Sequence, residues 1–377
     1  MPQKIAILKN RFDKIGGLEK QTLLIANKLI QKNHNLSIIT SKQNDNIPLK
    51  ASFYFIKKIP FFSFLKIFFF NQQAKKIILK QNFDIVLGID RTTFQTHIRA
   101  GNGVHRSFLE KRKIYESKFK YYLCKINPLH RLILKYEKKA FENKDLKTIF
   151  VNSKMVKDEI LKYYKVEEKK ITIIHNGIDI KKSERDFKNS FLKREEILKN
   201  LNLDPNKFYF LFIGNDYKRK GLLFLLKAAA NLQKDFHILI IGKDKNIKKY
   251  KKISKILNLQ NKTTFLGPKK DISKYYQIAD VCTILSTYDP FANTTIEALS
   301  MGLFCITSKE NGGSEIINNQ NGYIVNNLLN IDEIKKALLT ALNYKKTFNR
   351  AIKIRNSIKY LNIDNQINKL IDHMQDE

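Results

Sequence analysis

Short apolar runs alternate with longer amphipathic segments along the chain, and they fall into two successive series. In the first series, each apolar run is followed by a segment in which Leu, Ile and Ala recur at helical spacing. These runs cover residues 4–8, 36–40, 52–56, 84–89 and 148–151. Strands that alternate with helices are typical of a parallel sheet covered on both faces, so the first half of the chain is predicted to be an α/β domain.

A second series of the same kind begins after Asp204-Pro205. Its apolar runs cover residues 208–213, 237–241, 263–266, 281–285 and 304–307, again with helix-like segments between them. Residues 179–200, between the two series, are highly charged and have little strand character. We therefore predict two domains, 1–180 and 203–346, with a cleft between them that closes on a ligand. A helical tail, 347–377, is expected to pack back on the first domain.

The first apolar run leads into a loop that carries Gly16 and Gly17 just before a helical segment. Bare backbone amides and a helix N-terminus are able to hold an anion. The full GxGxxG pattern of dinucleotide sites is absent, and a simple tight turn is the alternative interpretation.

In the second half, the run 208–213 leads into Gly214 and then into a basic loop that contains Arg219 and Lys220. Arg219 suits bidentate binding of a phosphate, and Lys220 acts as a point charge, so the pair is predicted to neutralise a diphosphate. The loop follows the C-terminal end of a parallel strand, where open α/β sheets bind their ligands. A solvated run of charges is the alternative.

The run 281–285 leads into the segment STYDPFANTTIEALSMG, which carries the carboxylates Asp289 and Glu297 eight positions apart. A carboxylate at a loop-to-helix junction accepts hydrogen bonds from a pair of sugar or ribose hydroxyls. The helix N-terminus, at Asn293, Thr294 and Thr295, is predicted to face the phosphates. Asp289 alone is also compatible with a helix cap.

This segment resembles the E-x7-E signature of glycosyltransferase family 4, with Asp289 at the position of the first Glu. Four other segments agree with the family in order and spacing, namely 151–153, 175–179, 219–221 and 278–280. The resemblance covers most of the chain. It implies the α/β fold called GT-B, in which two Rossmann-like domains face each other across a cleft, the first binding the acceptor and the second the nucleotide sugar.

The resemblance also implies residue roles. In the family the second acid, here Glu297, contacts the ribose of the donor, and the first, here Asp289, lies by the transferred sugar. The reaction is expected to retain the anomeric configuration, with the leaving diphosphate stabilised by Arg219, Lys220 and the amides of Gly16 and Gly17. Because Asp is shorter than Glu, the identity of the donated sugar stays open.

Two further polar residues, Asn102 and His105, lie in the segment 96–106, which the family pattern directs toward the cleft. They are candidates for contacts near the transferred sugar. No acidic DxD pair is positioned as in the metal-dependent transferases, and the Arg219-Lys220 pair makes a divalent cation unnecessary. We therefore expect metal-independent chemistry and no cofactor besides the donor.

Within the family, the Gly-Gly-Leu start and a basic aromatic segment are similar to members that add a hexose to the lipopolysaccharide inner core. The resemblance implies a UDP-sugar such as UDP-glucose as donor and a lipid-linked glycan as acceptor. A sugar-nucleotide 2-epimerase of the same fold is the nearer alternative, because fold alone does not separate the two activities.

The net charge of +35, from 70 Lys and Arg against 35 Asp and Glu, predicts attraction to polyanions. Since Lys, Asn, Ile and Phe are abundant throughout, as in proteins of AT-rich genomes, local concentration is more informative than the total. Residues 105–139 interleave basic residues with aromatics and leucines, a pattern typical of helices that lie on anionic lipid. An ordinary surface hairpin packed on the core is the alternative. The phenylalanines of 61–70 are either a second insertion site or buried.

Cellular location is indicated by absences in the sequence. Cys124, Cys282 and Cys305 fit no disulfide framework or zinc spacing, and the N-terminus reads as a strand rather than as a signal peptide. The apolar run 59–70 is too short to span a membrane. We expect a soluble cytoplasmic protein on the inner face of the inner membrane. A nucleic-acid-binding protein is the remaining alternative, but no RNP1, zinc-finger or helix-turn-helix pattern supports it.

Overall fold

The computed structural model describes residues 2–11, 17–42, 49–57 and 62–375 of the chain. Contacts divide the chain into two units. Unit 1 consists of Met1–His175 and Asp364–Glu377, and unit 2 consists of Asn176–Ile363. Each unit is built on its own parallel β-sheet, so the predicted pair of α/β domains is confirmed.

The sheet of unit 1 has seven strands in the order β3-β2-β1-β4-β5-β6-β7. The strands are β1 (Lys4–Leu8), β2 (Asn35–Thr40), β3 (Ser52–Phe55), β4 (Ile85–Gly88), β5 (His97–Arg99), β6 (Thr148–Val151) and β7 (Ile171–Ile173). Every described pairing in it is parallel. Strands β4 and β6 are buried at every position, as parallel strands covered on both faces require.

The helices that precede unit 2 are α1 (Gly17–Gln31), α2 (Ser63–Gln81), α3 (His105–Lys111), α4 (Lys118–Ile126), α5 (Pro128–Phe141) and α6 (Lys154–Tyr163). Their starts follow the usual capping chemistry: the Ser153 hydroxyl accepts from the amide of Val156 at 3.2 Å, and the Asn127 side chain caps α5 ahead of Pro128. Helix α6 packs on β6 in a core that contains Ile149, Val151 and Ile160.

The sheet of unit 2 has six strands in the order β10-β9-β8-β11-β12-β13. The strands are β8 (Tyr209–Ile213), β9 (His237–Ile241), β10 (Thr263–Gly267), β11 (Val281–Ile284), β12 (Phe304–Ser308) and β13 (Gly322–Val325). The helices are α7 (Ile180–Leu192), α8 (Arg194–Asn200), α9 (Leu222–Ala229), α10 (Ile247–Ile256), α11 (Ser273–Ile278), α12 (Asn293–Ser300), α13 (Ile331–Leu342) and α14 (Phe348–Asn356). The last helix, α15 (Ile363–Gln375), follows them.

Both sheets have the Rossmann strand order, in which the first strand of the unit lies beside the fourth. The chain turns to opposite sides after these two strands, and ligands of such sheets bind in the crevice at their carboxyl ends. In unit 2 this crevice lies beyond β8 and β11, which lead into the basic loop and the acidic segment. The loops after β8 and β11 are therefore the expected ligand-binding loops of unit 2.

The sequence-based strand predictions are confirmed at ten positions, and the short strands β5, β7 and β13 were not predicted. Residues 179–200, expected to be a linker, form α7 and α8 inside unit 2, and the chain passes from unit 1 to unit 2 at His175. In the tail, α14 belongs to unit 2, whereas residues from Asp364 belong to unit 1. There Asp372 forms an ion pair of 2.6 Å with Lys32.

Candidate functional site

The basic loop after β8 is shaped by two glycines. Gly214 leaves room for the stem of Lys220, because a Cβ at Gly214 would lie 2.8 Å from the Lys220 Cγ. Gly221, at φ +78°, provides the left-handed turn that starts α9. Within the loop, Tyr217 is buried, and its hydroxyl donates a hydrogen bond of 3.0 Å to the carbonyl of Gly242. The loop is thus held at both ends and presents Lys220 in a fixed direction.

Asp289 lies in the loop after β11 and meets both cations of the basic loop. Its Oδ2 is 2.6 Å from the Lys220 Nζ and 3.3 Å from the Arg219 Nη1. Arg219 Nη1 also donates to the carbonyl of Tyr288 at 3.0 Å. The loops after the neighbouring strands β8 and β11 therefore bring the three predicted residues into one ionic cluster.

The charge state of this cluster follows from its surroundings. Burial acts to raise the pKa of the Asp289 carboxyl, but the charges of Lys220 and Arg219 outweigh it, and the pKa lies below its ordinary value. Asp289 is therefore ionised at neutral pH. Lys220 and Arg219 keep 14% and 26% of their side chains exposed. Arg219 Nε also lies 3.7 Å from the Asp216 Oδ2, so these two cations face two carboxylates. With Lys218 included, three cations of the loop stand against Asp216 and Asp289, which leaves a net positive charge for an anion that reaches the loop.

Glu297 lies in the middle of α12 and is oriented by a neighbouring helix. The hydroxyl of Tyr276, on α11, donates a hydrogen bond of 2.8 Å to its Oε2. Burial raises the pKa of Tyr276 well above the ordinary value, and the Glu297 charge raises it further, so the phenol remains a donor. The Glu297 carboxylate is half-buried and has a fixed direction.

The first turn of α12 carries the other predicted ligand-binding residues. Asn293 Oδ1 accepts a hydrogen bond of 2.8 Å from the Asn176 side chain, which belongs to the segment 175–179 of the family resemblance. Thr295 is buried, and its hydroxyl accepts from Asn311 at 3.1 Å. Thr294, between them, is half-buried. The structure thus places Asn293 and Thr295 in internal hydrogen bonds that hold the acidic loop.

Asn311 is the residue of this region that sequence reasoning missed. It is fully buried in the loop after β12, where its Oδ1 accepts from the amides of Ala292 at 3.0 Å and Gly313 at 3.1 Å. The backbone of Asp289 pairs with the same loop, because its amide donates to the Glu310 carbonyl at 2.9 Å. The Asn-Gly-Gly sequence in the loop after an apolar run was the available signal.

In unit 1, Asn102 and His105 have different surroundings. Asn102 is exposed between β5 and α3 and lines a small cavity of about 30 Å³ together with Arg91, Gln95 and Glu137. His105 is 5% exposed, and its Nε2 lies 3.0 Å from the Nδ1 of His130. Burial lowers the pKa of His105 to about 3, with Arg91 adding to the effect. At neutral pH the His105 ring is uncharged and enclosed, and it is not exposed as a proton donor.

Gly16 lies outside the described residues, and Gly17 is the first residue of α1. Within the ranges that the structure describes, no three His, Cys, Asp or Glu side chains are grouped to hold a metal ion. In the same ranges, every helix is too short or too polar to cross a membrane. The thiols of Cys282 and Cys305, paired in register on β11 and β12, are buried and free.

Two family models match the chain, one in each unit. Residues 15–182 match the model described as Glycosyltransferase Family 4, and residues 193–357 match the model described as Glycosyl transferases group 1. Together the two matches include most of both sheets. Both models agree with the resemblance that the acidic segment carries.

Two curated relatives are similar to part of the chain. An uncharacterized glycosyltransferase of Methanocaldococcus jannaschii is 27% identical over 172 residues, which are 45% of this chain and 44% of the relative. The UDP-Gal:alpha-D-GlcNAc-diphosphoundecaprenol alpha-1,3-galactosyltransferase of Escherichia coli is 28% identical over 225 residues, 57% of each protein. The chain thus spans about half the length of these curated relatives.

A longer but weaker similarity extends over both units. The lipopolysaccharide glucosyltransferase WaaG of Escherichia coli K12 is 19% identical over 355 residues, 90% of this chain and 89% of that protein. The crystal structure of WaaG, a glycosyltransferase involved in lipopolysaccharide biosynthesis, matches with a TM-score of 0.82 at 17% identity, over 99% of this chain and 100% of that chain. At this identity the likeness shows the fold, which is GT-B.

Proposed function

The chain belongs to the family 4, or group 1, glycosyltransferases, and we propose that it transfers a hexose from a nucleotide sugar to a lipid-linked glycan with retention of configuration. The ionic cluster of Lys220, Arg219 and Asp289 is the observation that carries the proposal. It lies at the carboxyl ends of β8 and β11, where a Rossmann-like sheet binds its ligand. Together with Asp216 and Lys218 of the same loop it has three cations and two carboxylates, a net positive charge. A diphosphate is the ligand that this charge and position suit.

In the proposed reaction the sugar leaves a nucleoside diphosphate, on which negative charge develops. Lys220 and Arg219 stabilise that charge by preorganised electrostatics, and Asp289 keeps the two cations aligned until the donor binds. Glu297, directed by Tyr276, accepts hydrogen bonds from the ribose hydroxyls. The role of the Gly16 and Gly17 amides in phosphate binding stays a prediction. The two cations supply the charge that a divalent metal supplies in other transferases, so no metal or further cofactor is proposed.

UDP is the proposed nucleotide, with UDP-glucose as the first donor to test. The name of the Escherichia coli galactosyltransferase contains a UDP donor and a diphosphoundecaprenol acceptor, and WaaG is a lipopolysaccharide glucosyltransferase. Both relatives act on glycans attached to lipid according to these names. This supports a lipid-linked acceptor such as the lipopolysaccharide inner core for the present chain.

The proposal is tested by donor hydrolysis and transfer in the presence of EDTA, with a panel of UDP-, GDP- and ADP-sugars. Slow hydrolysis of one donor is expected, with loss of activity in Arg219→Ala and Glu297→Ala. Lys245→Ala is the matched control, because it removes an exposed lysine from another loop of unit 2. Absence of hydrolysis and of nucleotide binding would contradict the proposal. Conversion of UDP-GlcNAc to its 2-epimer without acceptor would favour the epimerase.

We further propose that helices α4 and α5 attach the enzyme to the cytoplasmic face of the inner membrane. Helix α4 exposes Phe119, Tyr122, Leu123 and Ile126, which recur at helical spacing, and Phe119 and Ile126 are 74% and 67% exposed. Exposed lysines flank this face, and α5 turns Ile133, Tyr136 and Phe141 into the core. An apolar face bordered by lysines suits an anionic lipid surface.

The phenylalanines before and within α2 are divided between the surface and the core. Phe70 is buried, whereas Phe62 and Phe68 are exposed, and Phe61 lies outside the described residues.

Flotation with anionic vesicles tests the membrane proposal. The wild-type protein is expected to float and the double variant Phe119→Ser, Ile126→Ser to stay behind, while Phe62→Ser serves as the control for α2. Retention on DNA at physiological salt, with no flotation, would favour nucleic acid as the polyanion.

A further inference from the structure

Helix α5 supplies a buried carboxylate to the beginning of α3. Glu137 is 3% exposed, and its Oε2 accepts the amide hydrogen of His105 at 2.7 Å. Its Oε1 accepts from the amide of Arg106 at 3.3 Å and from the hydroxyl of Tyr164 at 2.5 Å. One carboxylate therefore satisfies two backbone donors and one phenol.

Helix α3 depends on this contact because of its own sequence. It has seven residues, and Val104 at its N-cap has no side-chain group that accepts a hydrogen bond. The first amides of a helix need acceptors from outside, and a negative charge at that end is favourable. Glu137 takes the place of a local cap from a position 32 residues further along the chain.

A second contact between the same two helices holds the side chain of His105. Its Nε2 lies 3.0 Å from the Nδ1 of His130, in the first turn of α5, and the ring centroids are 5.1 Å apart. Arg91 Nε lies 3.8 Å from the Glu137 Oε2 and partly balances the buried charge. Burying a carboxylate costs free energy that an apolar contact would avoid, so a role beyond packing is expected.

The segment held in this way leads directly to the cavity of unit 1. Gly103 and Asn102, immediately before α3, line that cavity together with Arg91 and Glu137 itself. The cavity lies beyond the carboxyl ends of β4 and β5, the edge at which parallel sheets bind ligands. Movement of the start of α3 would therefore move one wall of the cavity.

We propose that Glu137 is a positioning residue, which fixes the loop 100–104 and its Asn102 so that the acceptor glycan binds in one orientation. The inference rests on the proposed transferase function and assigns to Glu137 the placement of the loop that carries the exposed Asn102. His105 acts in the same network as a link between α3 and α5.

The experiment compares Glu137→Ala and Glu137→Gln with Lys139→Ala, which removes an exposed charge from the same helix. Initial rates are measured against both substrates, and hydrogen exchange is followed by mass spectrometry. Glu137→Ala is expected to lower kcat about 10-fold to 100-fold and to raise the acceptor KM, with the donor KM within twofold, because small misplacements of a site are costly in rate. Gln keeps one acceptor oxygen, so Glu137→Gln should recover part of the loss. Exchange should rise in peptides that cover 100–110 and stay unchanged elsewhere.

The proposal is overturned if both Glu137 variants keep kcat and acceptor KM within twofold of wild type. It is also overturned if exchange rises throughout unit 1 in Glu137→Gln, since that would indicate a general role in stability. If the wild-type protein transfers no sugar, the proposed function fails by itself. The hydrogen-exchange measurement then decides separately whether Glu137 holds the loop. Unchanged exchange at 100–110 in the Glu137 variants would overturn the inference.

Discussion

The carboxyl edges of the two sheets use charged residues in opposite ways. In unit 2, Lys220 and Arg219 meet Asp289 in an ionic cluster whose cations keep part of their surface accessible. In unit 1, Glu137 and His105 are almost fully enclosed, and their polar groups are satisfied inside the protein. The comparison indicates that the charged residues of unit 2 are accessible to an incoming anion. Those of unit 1 instead make the surrounding structure rigid.

The largest effect is expected from Lys220→Ala. This change removes the cation closest to Asp289 and one of two charges available to the donor diphosphate. Loss of one preorganised donor to developing negative charge lowers catalysis about 100-fold or more. Initial rates of transfer should show that loss in kcat/KM, while Lys245→Ala remains near wild type. Activity within threefold of wild type would show that the ionic cluster has no part in the reaction.

Asp289→Asn should separate binding from turnover. Asp289 competes with a diphosphate for Lys220 and Arg219, so neutralising it is expected to tighten UDP binding about 2-fold to 10-fold, in line with the loss of one nearby charge. Transfer should nevertheless fall about 10-fold, because the cations lose the partner that aligns them. Titration calorimetry with UDP measures the first effect. Weaker UDP binding in Asp289→Asn would mean that the carboxylate itself helps to hold the nucleotide.

A smaller effect is expected from Tyr276→Phe. The variant loses the hydrogen bond of 2.8 Å that directs Glu297, while the ring stays in its buried position. One such hydrogen bond contributes about 1 kcal/mol, which corresponds to a rise in donor KM of about fivefold with little change in kcat. Steady-state kinetics at varied donor concentration provide the check. A kcat effect without a KM effect would place Glu297 away from the ribose.

The smallest effect at neutral pH is expected from His105→Gln, and it appears on acidification. The folded pKa of His105 is lowered to about 3 by burial, whereas an unfolded histidine titrates near 6.5. The unfolded chain therefore binds the proton first, and folding stability decreases as pH falls below 6.5, by up to about 2 kcal/mol at pH 5. Thermal unfolding at several pH values should show a flatter profile for His105→Gln than for wild type. The exposed His373→Gln is the control, and equal slopes in all three proteins would contradict the assignment.

Much of unit 2 was predictable because its chemistry is local in sequence. Arg219, Lys220 and Asp289 each lie in the loop that follows an apolar run, and parallel strands bring their carboxyl ends to one edge. The short strands β5, β7 and β13 escaped prediction because three or four residues give little periodicity. Asn311 was missed because its role depends on contacts with Ala292 and Thr295 that only folding creates.

Unit 1 shows where sequence reasoning ends. His105 was a candidate for contacts near the transferred sugar because it lies in the segment 96–106. Nothing in the sequence indicates that α5 encloses its side chain. Glu137 appeared only as one acid in a basic stretch, although it makes the contacts that hold α3. A buried carboxylate 32 positions away from its partner amide leaves no spacing signal. Burial and tertiary contact, rather than residue type, separate these two residues from the solvent-exposed charges around them.

The composition of unit 1 from two separate parts of the chain has a consequence for biosynthesis. Residues from Asp364 onward belong to it, and Lys32 and His34 contact Asp372 and Gln375 of α15. The ribosome therefore makes all of unit 2 before it makes the helix that completes unit 1. Domains generally fold as they emerge during synthesis. Unit 1 is therefore complete only after its C-terminal helix, α15, has been translated. The nascent chain therefore carries an incomplete unit 1 throughout the translation of unit 2. During this interval unit 1 depends most on protection by chaperones.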